Sequence, residues 1–449
     1  MRVMTRPPRG TPGILERVGT FFVENFGCRA TQADGAAIES SLLGKGLEPA
    51  GREAADVVIL NTCTVTSAAD QDVRHAINRV RRENPSARIL VTGCYAQRAP
   101  AELAALPGVT WVVGNSHKTE ISEIVLAQTG TPYHGQIRVG DIFAQQEFLA
   151  GVVEDAAGDR TRPNLKIQEG CGNRCSFCII PYVRGRSRSA QPDWAIAQVR
   201  DLAERYREVV LSGINLGRWG RDLGGRERLA GLVRRLLAET GVERLRLSSV
   251  EPMDLSDDLL GLMASSPRIA RHVHAPLQTG SDSVLRRMRR KYRPRHYEDR
   301  ILKARELMPE AAIGADVMTG FPGETEEEFE ENRRFIARLP FTYLHVFTYS
   351  ERPGTPAAAA PDQVPIPVRK KRNRVLRELA AAKNLEFRQR MVGRTLSVVT
   401  LEEEGAALSG NYLKVELATP RAPNRILDVE VGGVTAGGLR ESAPASTAE

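Results

Sequence analysis

One stretch, Gln168-Glu-Gly-Cys-Gly-Asn-Arg-Cys-Ser-Phe-Cys-Ile-Ile-Pro181, places Cys171, Cys175 and Cys178 in the pattern C-x3-C-x2-C. Three thiolates at that spacing can wrap a small metal cluster in a single loop. A structural zinc site or a fully ligated iron–sulfur cluster wants a fourth protein ligand. No fourth cysteine lies nearby, and none of the seven histidines follows at zinc-finger spacing. A [4Fe–4S] cluster on these three would keep one iron open, and an open position is where a metal site does chemistry. An ordinary zinc loop, or three unrelated cysteines, is the plainer alternative, but open three-cysteine sites are atypical of structural zinc.

The remaining cysteines, Cys28, Cys63 and Cys94, are far apart in the chain but share a context. Strands are expected over Thr20–Phe26, Val57–Leu60, Ile89–Val91 and Trp111–Val113, with helices over about 34–44 and 67–83. Val57-Val-Ile-Leu60 is wholly apolar, as in a parallel sheet covered on both faces. This is a doubly wound α/β domain. Each of the three cysteines lies just past the carboxyl end of a strand, the edge at which open parallel sheets bind ligands. Buried structural cysteine is common, yet it does not explain why all three follow strands into small or polar residues. A second three-cysteine cluster is the expectation.

The first cysteine loop follows a strand, Asn164–Gln168, that opens a second series: Glu208–Leu211, Arg244–Leu247, His272–His274, Ala312–Val317 and Tyr343–Phe347. Amphipathic helices over Trp194–Tyr206, Leu229–Glu239 and Glu326–Leu339 separate some of them. About six β/α units make an incomplete (βα)8 barrel, whose active site belongs at the carboxyl ends of the strands. The strand exits there are polar or glycine-rich. Gly213, Glu251 and Gln278 are candidates for ligand contact, each against the reading of a plain turn.

After Pro-rich Pro361–Pro367 and a helix reaching about Arg390, short alternating strands over Thr395–Leu401, Tyr412–Leu417 and Ile426–Val431 indicate a small β-barrel. The chain thus divides into a tail (1–18), a cluster-binding α/β domain (19–130), a linker (131–160), the partial barrel (161–390), the small β-barrel (391–432) and a second tail (433–449). Composition is that of a globular protein, 41% hydrophobic and 26% charged, with net charge +8. No apolar run reaches membrane-spanning length and the basic first residues lack a signal-peptide core, so a cytoplasmic protein with reduced cysteines is expected. Basic runs at Arg286–Arg295 and Arg369–Arg374 make a polyanionic partner plausible, although such runs are usually solvated faces.

At Cys171–Cys178 the chain resembles the radical S-adenosylmethionine (SAM) enzymes, with Phe177 in the aromatic position of their signature. The resemblance implies that SAM chelates the open iron and is cleaved, on receipt of one electron, to methionine and a 5′-deoxyadenosyl radical. Phe177 would pack near the adenine, with Gly213, Glu251 and Gln278 among the SAM contacts. Phe26-Gly-Cys28-Arg-Ala-Thr-Gln32, Asn61-Thr-Cys63 and Thr92-Gly-Cys94-Tyr-Ala-Gln97 resemble the N-terminal domain of the methylthiotransferases. That family more often has Leu-Gly-Cys-Lys-x-Asn-Gln at the first site, from which Arg29 and Thr31 depart. Gly410-Asn-Tyr-Leu-Lys-Val resembles the RNA-binding TRAM module.

The three modules in this order resemble the radical-SAM methylthiotransferases over nearly the whole chain. This implies two [4Fe–4S] clusters and SAM used both as radical source and as methyl donor. Ser350-Glu-Arg-Pro-Gly-Thr355 and Gly314–Thr325 look like the MtaB-type branch. That branch methylthiolates C2 of N6-threonylcarbamoyladenosine at tRNA position 37. The implied partners are a tRNA anticodon stem-loop and an electron donor such as flavodoxin or ferredoxin, with neither membrane nor DNA. Arg184, Arg186 and Arg352 are candidates for the anionic threonylcarbamoyl group. Isopentenyladenosine tRNA and a ribosomal-protein aspartate are the alternative substrates. A non-catalytic iron–sulfur RNA-binding protein or redox sensor is the rival from another class.

Overall fold

The computed structural model describes residues 18–127, 134–145, 148 and 161–443. The first tail, apart from Val18, lies outside the described residues, as does most of the linker.

The N-terminal domain is a six-stranded parallel sheet in the order β2-β1-β3-β4-β5-β6. Its strands are β1 (Thr20–Asn25), β2 (Glu48–Pro49), β3 (Val57–Thr62), β4 (Arg88–Gly93), β5 (Val109–Gly114) and β6 (Gln136–Arg138). The helix expected over 34–44 begins five residues earlier, at Arg29, directly after Cys28. β6 falls where a linker is expected. An edge strand of three residues needs only backbone pairing and leaves no periodic trace in the sequence. Two cores flank the sheet, with Val58, Leu60 and Val91 on one side and Val57, Ile59 and Leu90 on the other.

The central domain carries six parallel strands, β7 (Asn164–Glu169), β9 (Glu208–Gly213), β10 (Arg244–Leu247), β11 (His272–His274), β12 (Ala312–Thr319) and β13 (Tyr343–Thr348), with the short β8 (Arg188–Ser189) antiparallel on β7. The strands form two sheets, β8-β7-β9-β10 and β11-β12-β13, bridged at Leu245 and Ile269. Side chains alternate strictly. Leu165, Ile167, Val209, Leu211, Leu245, Leu247, Val273, Ala315 and Val317 face outward into one core shared with the helices. The opposite, inner face carries Lys166, Gln168, Glu208, Ser212, Arg244, Arg246, His272, His274, Asp316, Tyr343 and His345. A closed (βα)8 barrel packs that space with branched apolar side chains; a polar wall leaves it to a ligand. The N-terminal domain lies across the open side. Asn164 Nδ2 at the start of β7 donates to Arg29 O (2.6 Å), and Arg352, just past β13, pairs with Asp70 (2.8 Å).

The C-terminal barrel is closed, β14-β15-β16-β18-β17, from β14 (Thr395–Thr400), β15 (Ala406–Ser409), β16 (Lys414–Glu416), β17 (Ile426–Val434) and β18 (Leu439–Glu441). The tail expected over 433–449 is therefore corrected over 433–443: β17 runs on to Val434 and β18 completes the barrel, burying Leu439, while 444–449 lie outside the described residues. Its Gly-Gly start hid the strand. This barrel closes the amino-terminal end of the central lumen. Arg246 donates to Ser409 O (3.0 Å) and Gly410 O (3.2 Å), and the Tyr412 ring lies 4.5 Å from that of His272. Among the described residues no helix is long and apolar enough to cross a membrane.

Candidate active site

Both cysteine sets sit at carboxyl ends of strands, and the chain brings them side by side. Cys171, Cys175 and Cys178 follow β7; Cys63 and Cys94 directly follow β3 and β4, and Cys28 follows β1 after Gly27. Gly27 holds φ +107, and a Cβ there would come within 2.6 Å of Cys63 Cβ, so a side chain would push the first cysteine turn away from the second. The short helix Ile180–Arg184, which starts two residues after Cys178, packs Ile179 and Val183 on Cys94. One segment of a few residues thus runs from the last cysteine of one set to the third cysteine of the other.

All six thiols are free of disulfides. Burial, with Cys94 and Cys28 close by, pushes the Cys63 thiol up to about 12; burial and Cys175 do the same to Cys178, again to about 12, and burial raises Cys171. As bare thiols these groups stay protonated, and they become thiolates only when a metal takes the proton's place. Hydrogen-bond donors already point at the sulfurs. Arg290 Nη1 lies 3.2 Å from Cys175 Sγ, Asn215 Nδ2 3.7 Å from Cys171 Sγ, Arg184 Nε 3.2 Å from Cys94 Sγ, and the Val65 N–H 3.5 Å from Cys63 Sγ. Such donors suit thiolates that carry a cluster's charge.

Charge supports the same fit. Behind Cys94, Arg184 donates to Glu169 Oε1 (2.7 Å) and Asp34 Oδ2 (2.9 Å), while Lys118 reaches Asp34 Oδ2 (2.8 Å) and Lys166 reaches Glu169 Oε2 (3.0 Å) and Asp34. Burial pushes the Asp34 carboxyl up, but Lys118, Lys166 and Arg184 hold it well below the usual carboxylate range. With Arg188 3.9 Å from Glu169 Oε2, four cations face two carboxylates in a space closed to water. An anionic centre held at Cys94 would balance the excess, since unpaired buried charge is costly.

The other expected positions are placed as follows. Phe177 packs against Val284, Met288, Phe321 and Tyr349. Gly213 pairs with Gln168, whose side chain fills the space a Cβ at Gly213 would need. Glu251 holds Arg290, which in turn meets Cys175. Gln278 has φ +66 and joins β11 to β12 through its backbone. Arg184 and Arg352 are both committed to internal partners: Arg184 to Asp34 and Glu169, Arg352 to Asp70, Ser67 and Thr64 O. Arg186 is exposed. Each basic run also splits. Arg290 turns inward to Cys175, and Arg369 and Arg372 turn inward to Glu351 and Glu324, leaving Lys370, Lys371 and Arg374 at the surface.

A cavity of about 970 Å³ opens beside Cys28, lined by Arg29 and Gln32, by Arg162 and Asn164 at the start of β7, and by Glu402 and Glu403 of the C-terminal barrel. It is of ligand-pocket size and touches all three domains.

Residues 20–114 match the family model described as "Uncharacterized protein family UPF0004", and residues 165–336 match that of the radical SAM superfamily. The chain is 39% identical to the threonylcarbamoyladenosine tRNA methylthiotransferase MtaB of Aquifex aeolicus, over 88% of this chain and 95% of that one. It is 39% identical to MtaB of Bacillus subtilis, over 89% and 90%. It is 34% identical to a tRNA-2-methylthio-N(6)-dimethylallyladenosine synthase of Acidothermus cellulolyticus, over 96% and 87%. Among solved structures, the radical SAM methyltransferase TsrM of Kitasatospora setae superposes with a TM-score of 0.56 at 15% identity, over 76% of this chain and 77% of that one, a likeness of fold. An iron–sulfur cluster and SAM are the cofactors of this superfamily. With both matched domains in the same order and relatives similar over nearly their full lengths, the chain belongs to the radical-SAM methylthiotransferases, on the MtaB-type branch.

Proposed function

We propose that this protein methylthiolates C2 of N6-threonylcarbamoyladenosine at position 37 of tRNA, beside the anticodon. Cys171, Cys175 and Cys178 hold one [4Fe–4S] cluster and Cys28, Cys63 and Cys94 a second. The observation that carries this reading is the adjacency of the two sets, joined through Ile179, Val183 and Arg184 to Cys94. An unactivated aromatic C–H is too weakly acidic for acid–base chemistry, and the bound cofactors supply the radical, the sulfur and the methyl group.

The chain's own residues do the positioning. Arg290, held by Glu251, and Asn215 donate to Cys175 and Cys171. Arg184 fixes the second set against the first. The Arg29 backbone, through Asn164, and the Arg352–Asp70 pair tie the N-terminal domain to the central one. A loop base can be unstacked at modest cost and placed in such a pocket. A small one-electron carrier such as flavodoxin or ferredoxin reduces the protein, which works in the cytoplasm.

The test offers reconstituted enzyme three substrates: tRNA bearing threonylcarbamoyladenosine, tRNA bearing isopentenyladenosine, and ribosomal protein. The first should be methylthiolated in preference. Preference for either of the others would overturn the branch. Anaerobic protein should hold about eight iron, halved when Cys171, Cys175 and Cys178 are replaced by Ala; full iron in that variant would refute the two-cluster reading.

A further inference from the structure

The inner wall of the central barrel carries a group of titratable side chains that neither cysteine set uses. His274 Nε2 and His345 Nδ1 each lie 3.3 Å from the same oxygen, Oδ1 of Asp316. The Tyr343 hydroxyl sits between His274 Nδ1 (2.9 Å) and His272 Nε2 (2.7 Å). With Nδ1 committed to Tyr343, His274 turns Nε2 toward Asp316. That nitrogen is buried, on a side chain only 7% exposed, and has no aligned hydrogen-bond partner among the described residues.

The group is partly open: the side chains of His345 and Asp316 are 50% and 27% exposed. Two residues past His345, Phe347 is 48% exposed, with its ring 6.4 Å from the imidazole. A large aromatic left open beside a polar group on the wall of a ligand space is a stacking surface for a base.

We propose that His274, Asp316 and His345 form the subsite for the threonylcarbamoyl arm of the substrate adenosine, with Phe347 against the base. This rests on the substrate reading given above. The arm carries urea N–H groups and a hydroxyl as donors and a carboxylate as acceptor. Asp316 Oδ2 accepts from a urea N–H or the hydroxyl. His345, with Nδ1–H turned to Asp316, offers Nε2 as an acceptor for the threonyl hydroxyl. An isopentenyl arm offers neither, and leaves these groups facing hydrocarbon.

The experiment uses full-length reconstituted enzyme and its H345F, D316N and H345Q variants, with tRNA bearing threonylcarbamoyladenosine or isopentenyladenosine. It measures kcat and KM for methylthiolation, together with total metal content. H345F and D316N should each raise KM for the first tRNA by roughly tenfold, with a smaller effect on kcat, and reduce its preference over the second by a similar factor. H345Q, which keeps both a donor and an acceptor, should recover part of the loss. Unchanged preference in both variants would overturn the subsite alone. A divalent metal beyond the clusters' iron, present in the wild type and lost in H345F, would overturn it in favour of a cation site, since two imidazoles and a carboxylate are also a metal set. Wild-type turnover of isopentenyladenosine tRNA only would overturn the substrate reading with it.

Discussion

Arg290 and Arg184 do the same work on opposite sides of the site: each is buried, paired with carboxylate, and aimed at a cysteine sulfur from 3.2 Å. Replacing Arg290 by Met removes the donor to Cys175 and frees Glu251. Loss of a group that orients a metal ligand commonly costs about 10–100-fold in metal affinity or activity. The R290M variant should therefore lose iron to a chelator faster than wild type and cleave SAM about 10–100-fold more slowly, read from iron release and from 5′-deoxyadenosine formed. Nothing in the sequence separated Arg290 from its neighbours. It stands in a run of basic residues whose types are visible but whose directions are set by tertiary packing. The cysteines were legible for the opposite reason: the position just past a parallel strand fixes both place and direction.

At the scale of elements, the alternation along the central strands was visible as amphipathic pattern, but its meaning emerges only when the inner positions line one space. Gly314 on β12 illustrates the constraint. A Cβ there would lie 1.9 Å from Tyr343 Cζ, because the Tyr343 ring crosses β12 at that point to reach His272 and His274. Gly314→Ala should displace the ring at a cost of about 1–3 kcal/mol, seen as a lower melting temperature and a raised KM for tRNA. The strands that escaped sequence reading, β2, β6, β8, β15 and β18, are two to four residues long. Periodicity needs more residues than that to declare itself. The helix expected over 34–44 was placed five residues late because its start follows Cys28, an unusual cap that makes no side-chain capping bond.

At the scale of the whole molecule, buried charge at the lumen floor joins the central domain to the C-terminal barrel. Glu208 receives Arg246 Nε (2.7 Å) and Nη2 (3.1 Å), with Arg244 and Arg162 each at 3.5 Å. Arg244 also donates to Ser397 of the C-terminal barrel (2.7 Å). Glu208→Gln leaves three guanidinium groups short of a partner and should destabilise by about 3–5 kcal/mol, measured by denaturant unfolding. Burial raises the Glu208 carboxyl, but Arg246 and its neighbours pull it down to about 2. Its contribution is thus complete above the usual carboxylate value near 4.5 and is lost as pH falls from there toward 2. Wild type should lose stability across that window and E208Q should lose less. Removing residues from Met391 onward strips Ser409, Gly410 and Tyr412 from the floor as well as any RNA surface. The truncated chain should melt lower in addition to binding tRNA more weakly. Wild-type tRNA affinity should fall with salt through contacts such as Lys370, Lys371 and Arg374.

The two cysteine sets differ in how far apart the chain places their members. Cys171, Cys175 and Cys178 belong to one loop, whereas Cys28, Cys63 and Cys94 come from three strand ends and gain Arg184 from another domain. Closing a loop of a few residues costs little chain entropy, and the cost grows with the length enclosed. On the two-cluster reading proposed above, maturation is ordered. The compact set can capture iron while the chain is still unfolded or incomplete, but the dispersed set exists only after the sheet has formed and the central domain has docked on it. Cells short of iron should accumulate protein loaded at the loop alone, a form able to cleave SAM and unable to deliver sulfur.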